Sequence, residues 1–384
     1  MNKKLFLLIF LFTLLMPSLS ARATEETPAL LISQAWREGG HSDLWWWKDN
    51  QAVEFDGCQG DVVESAMQLS PTQRVVAYLA TAQIWIDNLE EGWAGSGADF
   101  PNDVLLCDLN TGEITRIAGQ PENATVSEDE QWYYISHSEP IWSPDGTRVA
   151  WSEYISDTGL LRLMAYNLAT GETETLVSDL NPQGFGDISM IRRVFWSDVG
   201  IGVENFTGFE VYNDVTGELL NTVIFPKYSN FQFWITYQSK TYIAYYDATA
   251  VWYLIDPLTG DDQLMPGLPE LYNPANPDGL VVRYDVHINP PPNDITPPFP
   301  QPRWSVIDGS NVIPLEGDNG MQTFNHRVAI SPDGQSVAYV TEDQLWLWHA
   351  GESQLAKGME DFVLDSPYEC LVWTPLAWRV GVTE

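Results

Sequence analysis

Two kinds of tight turn alternate along this chain, and their fixed order constrains the fold more than any other feature. The first kind is built on Ser-Pro-Asp-Gly. It reads Ile141-Trp142-Ser143-Pro144-Asp145-Gly146 before Arg148-Val149-Ala150-Trp151, and Ile330-Ser331-Pro332-Asp333-Gly334 before Val337-Ala338-Tyr339. Weaker copies are Leu69-Ser70-Pro71, Trp196-Ser197-Asp198 and Trp373-Thr374-Pro375. Proline presets φ at the first corner, glycine takes the φ > 0 position, and the flanking Val, Ala, Tyr and Trp runs favour strands. Each copy therefore predicts a β-hairpin. The second kind follows it, as Asp108 to Glu113, Asn167 to Glu172, Asn213 to Glu218 and Asp256 to Asp261, with shortened forms at Asp308-Gly309-Ser310 and Ala350-Gly351-Glu352. Its glycines stand 42 to 59 residues apart. Two hairpins per period make four strands, and a four-stranded unit recurring every ~40–50 residues predicts the blade of a β-propeller. A pair of β-sandwiches, the alternative, explains short strands but not a shared period.

The two ends read as parts of one blade. Leu30 to Trp36 and Leu44 to Trp47 resemble the later strands of a repeat, and no Ser-Pro copy precedes them. Leu371 to Pro375 resembles a first strand with no room for a second hairpin behind it. The C-terminal strand is thus expected to complete the N-terminal blade, which leaves no open sheet edge at the junction. With the six glycine-marked repeats this makes seven blades. Six or eight stay open because residues 189–315 are degenerate, as does a further strand at Ala377-Trp378-Arg379-Val380. The chain has three cysteines, Cys58, Cys107 and Cys370, so at most one internal pair forms. A Cys58–Cys370 bridge would tie the ends together. Free thiols, or a pair with Cys107, are the alternatives.

Residues 1–23 read as a secretory signal peptide. Lys3 and Lys4 precede an apolar run from Leu5 to Met16, and Ala21-Arg22-Ala23 is a small-x-small cleavage site. That run spans about 18 Å as a helix, short of the ~30 Å of a bilayer core. The expectation is a secreted or periplasmic protein with no membrane insertion, carrying a single propeller over 24–384. The formal charge is −35, which argues against nucleic acid and anionic surfaces as partners.

The Trp-Ser-Pro-Asp-Gly and Ile-Ser-Pro-Asp-Gly copies resemble the repeats of TolB-like propellers, which are related to the propeller domains of dipeptidyl peptidase IV and the tricorn protease. The resemblance covers most of residues 29–380 and implies a fold, not an activity. The peptidase relatives need a G-x-S-x-G nucleophile elbow, which this chain lacks. The sialidase Asp-box pattern fails because Gly146 comes one position early. The quinoprotein docking pattern fails because Leu264 stands where it needs Trp.

In a propeller, the loops between blades and the central loop of each blade emerge on one face. Two of these loops are enlarged here, at 88–102 and 287–302. The first carries Trp93, Asp99 and Phe100 among glycines. The second carries Phe299 among seven prolines, a stiff composition that loses little entropy on contact. These four residues are candidate partner contacts, and solvated insertions without a partner are the alternative. No catalytic residue stands out. His137, between Ser136 and Ser138, would approach the central channel, where a satisfied strand histidine is the plainer reading. With 53 acids, channel-facing carboxylate pairs stay open. The Trp45-Trp46-Trp47 trio admits carbohydrate stacking, but blade packing is the stronger reading. Asp108-x-Asn110-x-Gly112 loosely resembles a calcium loop, although turn formation explains it. No cofactor is indicated beyond weak Ca²⁺ binding by an acidic exported chain. The sequence thus predicts an all-β propeller and a monomer. A non-enzymatic protein that binds a protein or peptide leads the functional readings. A secreted carbohydrate-active hydrolase or lyase and a structural module of the cell envelope are the alternatives.

Overall fold

The computed structural model describes residues 29–34, 43–48, 51–54, 58, 68–90, 100–126, 132–180, 191–205, 207–226, 230–237, 240–247, 251–265, 267, 270–272, 279–288, 300–308, 310–315, 328–331, 334–341, 344–355 and 376–379. These residues form seven antiparallel sheets and one helix. The first sheet holds β1 (Ala29–Gln34), β2 (Asp43–Lys48) and β3 (Gln51–Glu54). The second holds β4 (Gln68–Leu69), β5 (Val75–Thr81), β6 (Asn102–Asp108) and β7 (Ile114–Ala118), with helix α1 (Gln83–Glu90) between β5 and β6. The third holds β8 (Ile135–His137), β9 (Ile141–Trp142), β10 (Arg148–Ile155), β11 (Leu160–Asn167) and β12 (Glu172–Val177). The fourth holds β13 (Val194–Ser197), β14 (Gly200–Asn205), β15 (Gly208–Tyr212) and β16 (Leu219–Ile224). The fifth holds β17 (Asn230–Tyr237), β18 (Lys240–Tyr246), β19 (Trp252–Ile255) and β20 (Asp262–Leu264). The sixth holds β21 (Glu270–Tyr272), β22 (Val281–Ile288), β23 (Pro300–Asp308) and β24 (Asn311–Pro314). The seventh holds β25 (Val328–Ile330), β26 (Ser336–Thr341), β27 (Gln344–His349) and β28 (Glu352–Leu355).

The last strand, β29 (Leu376–Arg379), returns to the first sheet, whose order is β29-β1-β2-β3. Leu30 stands opposite Trp378, and Ile32 opposite Leu376. Both chain ends therefore supply one sheet. The strand lies at 376–379, while 371–375, where the sequence places it, lie outside the described residues. In the other sheets the strands follow chain order from inner to outer. The third differs in that its inner strand is broken into β8 and β9, both paired with β10. Inner strands of successive sheets lie side by side: β4 by β9, β9 by β13, and β25 by β29.

The local chemistry of the two turns explains the repeat. In the first kind, Ser143 Oγ accepts from Arg148 N at 2.9 Å and donates to Asp145 Oδ1 at 2.6 Å, while Gly146 N donates to Ser143 O at 2.8 Å. In the second kind, an Asp or Asn carboxyl or amide oxygen accepts from the backbone N–H two residues on. Asp108, Asn167, Asn213 and Asp256 do so at 2.7 to 2.9 Å. The glycine then closes the turn onto the carbonyl of that same residue. Gly217 shows why the position excludes a side chain. Its φ is +67°, and a Cβ there would fall 1.9 Å from Leu176 O of the preceding sheet.

The core lies between sheets rather than in one central mass. Leu106, Trp142, Trp151 and Met164 fill the gap between the second and third sheets. Leu163, Val194, Ile201 and Tyr212 fill the next, and Phe209, Val223, Ile243 and Tyr245 the one after. Trp252, Trp304, Tyr339 and Trp348 belong to one cluster that runs through the fifth to seventh sheets. Of Trp45, Trp46 and Trp47, only the backbone pairing with β1 and β3 is described.

Two sequence expectations are corrected here. Cys58 is bonded to Cys107, not to Cys370, with Cα atoms 5.6 Å apart. Cys58, four residues beyond β3, is buried on the second sheet beside Val76, Tyr78 and Leu109, and Cys107 points into the same cluster from β6. Cys370 lies outside the described residues. The second correction concerns the insertion after β5, which opens with a helix instead of a loop. Ala82 O accepts from Trp85 N and Ile86 N, and Gln83 Nε2 donates to Asp87 Oδ1 one turn on at 2.7 Å.

Candidate functional site

The central loops that follow β5, β10 and β14 leave the same end of their sheets as the segments that enter β8 and β13. His137 and Glu153, opposite each other in the β8–β10 register, lie at this end. A chain of polar side chains crosses three sheets here. Gln120 Nε2 donates to Asn102 O and to Ile135 O, both at 2.8 Å, and its Oε1 accepts from Ile135 N at 2.9 Å. Asn102 then grips His137. Its Oδ1 accepts from His137 N at 2.7 Å, and its Nδ2 donates to His137 O at 3.2 Å. Further along, Ser138 Oγ accepts from Ser152 N at 2.8 Å, and Ser152 Oγ donates to Arg192 O at 2.6 Å. Arg193 forks onto both oxygens of Glu204 at 2.5 and 2.8 Å.

Strand alternation decides the chemistry of the Ser136-His137-Ser138 run. The serines point to one side and the imidazole to the other. Ser136 Oγ donates to Phe100 O at 2.7 Å and is not presented to His137. Two Asn102 oxygens face His137 Nδ1, at 2.7 and 3.1 Å, so the ring proton sits on Nδ1. Nε2 then faces Glu153 Oε2 at 3.8 Å. Burial pushes His137 down to about 4, so the ring is neutral at ordinary pH. Burial likewise raises Glu153, against the pull of Arg162 at 3.4 Å. This is a neutral histidine satisfied at Nδ1, whose buried Nε2 has no hydrogen-bond partner among the described residues, and Ser136 forms no nucleophile–base pair with it.

Glu139 differs from its neighbours. It sits in the break between β8 and β9 and keeps part of its surface accessible. Burial nevertheless lifts its carboxyl to about 7, opposed by Arg193. Its proton exchanges near neutrality, as a general acid or base requires.

Beside this seam, described residues on either side of 91–99 join an aromatic cluster. Trp85 of α1 and Tyr134 are buried with Val126, and Ile84, Phe100 and Trp132 pack around them. The Trp85 and Phe100 ring centroids are 5.0 Å apart. Phe100, expected as a partner contact, is thus half-buried as part of the cluster. Trp93, Asp99 and Phe299 lie outside the described residues. Sequence reading missed the cluster because Trp85 sits in a short segment with no repeat signature. It missed the Asn102–His137 clamp because the two are 35 residues apart. Among the described residues, no cluster of three or more His, Cys, Asp or Glu is arranged to hold a metal, and Asp108 Oδ1 serves its own turn.

Seven antiparallel sheets, with inner strands side by side where β4 meets β9, β9 meets β13 and β25 meets β29, define an all-β propeller. Neither a protein-family profile nor a curated protein sequence matches the chain. Among solved structures, the chain is similar to the β-propeller domain of the Trilobed protease from Pyrococcus furiosus, at 14% identity over 76% of this chain and 85% of that one, with a TM-score of 0.44. It is also similar to an oligogalacturonate lyase from Vibrio parahaemolyticus, at 15% identity over 81% and 88% of the two chains and a TM-score of 0.41. An acylaminoacyl peptidase gives 15% identity over 76% of this chain and 46% of that one, with a TM-score of 0.43. These likenesses are of fold alone. Among the described residues, no helix is long and apolar enough to cross a membrane.

Proposed function

We propose that this is an exported propeller that binds a protein or peptide partner through the face carrying the enlarged loops 88–102 and 287–302. The observation that carries the reading is the aromatic cluster that takes in both flanks of the first of these loops. A solvated insertion with no partner needs no anchorage, whereas Trp85 and Phe100, on either side of residues 91–99, are held in one cluster with Tyr134. Held flanks lower the ordering entropy lost on contact and so favour binding. The net charge of −35 selects partners with a basic surface, because such partners are steered in at long range.

The test replaces residues 91–99 by a Gly-Ser linker of equal length. A peptide selected by display against the intact protein is then titrated against both forms. The expected result is at least a tenfold loss of affinity in the replaced form. Equal affinity would count against this face. The second reading, a carbohydrate-active hydrolase or lyase, is favoured by Glu139 alone. Cleavage of polyuronide or neutral oligosaccharides by the intact protein, abolished by Glu139→Gln, would establish it instead.

A further inference from the structure

The outermost strand of a sheet leaves a row of backbone N–H and C=O groups unpaired, and proteins protect such edges with charges or proline. Six of the seven outer strands here are protected in this way. They carry Glu54 in β3, Arg116 in β7, Glu172 and Glu174 in β12, Asp262 in β20, Pro314 in β24 and Glu352 in β28. The exception is β16, which reads Leu-Leu-Asn-Thr-Val-Ile and contains neither. It is six residues long, ends the β13-β14-β15-β16 order, and among the described residues pairs only with β15.

The strand also presents apolar side chains. Ile224 is 68% exposed, and Leu219 and Leu220 are exposed with it. Every other large exposed hydrophobic among the described residues lies in this sheet or the next two, at Val215, Leu258, Leu264 and Val312. Backbone direction follows from one bond. Phe225 N donates to Thr207 O at 2.8 Å, so Ile224 and Thr222 turn their N–H and C=O away from β15, up to the register shift where Leu220 is the extra residue between Leu219 and Asn221. Ile224, one of these two, is exposed, and the exposed Leu220 stands at the bulge beside them. Open backbone and open apolar surface therefore coincide.

Charge selects the occupant. Residues 207–226, 251–265 and 304–315 contain no Lys or Arg, whereas Glu218, Asp261, Asp262 and Asp308 are exposed there. A second copy of this chain would bring another −35 and set its own acids against these. We propose that β16 is a docking edge that takes up an extended segment of another protein as a fifth strand, the segment alternating aliphatic residues with Lys or Arg. This inference is independent of the loop face described above.

A fluorescein-labelled ten-residue peptide alternating Ile and Lys, titrated by anisotropy against the full chain, tests it. Saturable binding that weakens with salt is expected, with no binding of the matching Ile/Glu peptide. Thr222→Pro removes one outward N–H and leaves the β15 ladder intact, since proline is tolerated where the N–H faces solvent. It should weaken binding at least tenfold with an unchanged far-UV spectrum. The double variant Leu220→Lys, Ile224→Lys keeps every backbone group and should weaken binding as much, so it decides the matter if the proline variant fails to fold. The proposal is overturned if the intact protein shows no saturable binding, if both variants bind as it does, or if the Ile/Glu peptide binds equally. Concentration-dependent dimers lost in Thr222→Pro would overturn it too, by making a second copy the occupant.

Discussion

Breaking the Cys58–Cys107 bridge is the most direct test of how the first two sheets are joined. The two residues are 49 positions apart. Cross-linking a loop of that size removes conformational freedom from the unfolded chain worth about 4 kcal/mol in the chain-entropy model. Such a loss corresponds to about a thousandfold in the unfolding equilibrium. Both thiols are buried, so a substitution adds a packing loss to the entropic one. Reduction of the unaltered protein isolates the entropic part. The assay is guanidinium unfolding followed by tryptophan fluorescence, on oxidised protein, reduced protein, Cys107→Ala and Cys370→Ala. Reduced protein and Cys107→Ala should unfold at clearly lower denaturant, the latter lowest. Cys370→Ala should match the oxidised protein. Coincident oxidised and reduced curves would refute the reasoning. So would a Cys370→Ala curve that falls with the reduced one, because the bridge would then join Cys58 to the chain end.

Two further outcomes test the polar seam. Burial holds Glu139 at about 7 against an ordinary 4.5, so the folded protein keeps a proton that the unfolded chain releases between those values. Stability contributed by this site therefore falls as pH rises from 4.5 to 7, and by about 2 kcal/mol after allowance for its partial exposure. Glu139→Gln should gain on the parent in denaturant midpoint between pH 5 and pH 8, and parallel curves would show that the carboxyl is not desolvated. Asn102→Ala strips partners from the backbone N–H, C=O and ring of a buried histidine. It should cost about 2–4 kcal/mol, read as a lowered midpoint at pH 7. A change under about 0.5 kcal/mol, the size of an ordinary surface substitution, would show that water replaces the clamp.

The fold was legible where its causes are local. Ser143 and Asp145, or Asn213 and Gly217, make their turns within five residues, so the sequence carries the whole instruction and the four-strand period follows. The shared first sheet was legible too, because a missing inner strand at one end and a surplus one at the other are both visible in the pattern. What stayed hidden depends on partners distant in sequence. Cys58 meets Cys107 because it packs on the second sheet against Val76 and Tyr78, contacts that neither cysteine's neighbours encode. Asn102 binds His137 across a sheet boundary. α1 is eight residues without a capping signature, held by the burial of Trp85 rather than by its own propensity. The bare edge of β16 is written in six letters, yet it gains meaning only when the other outer strands are known to carry charge or proline.

The pairing of β29 with β1 has a consequence for the order in which the molecule is made. Ala29–Gln34 leaves the ribosome before any other described strand, and Leu376–Arg379 after all of them. The earliest strand must therefore wait, with one side unpartnered, through the synthesis of nearly everything else. A truncated or stalled product would leave that side open to whatever strand arrives first.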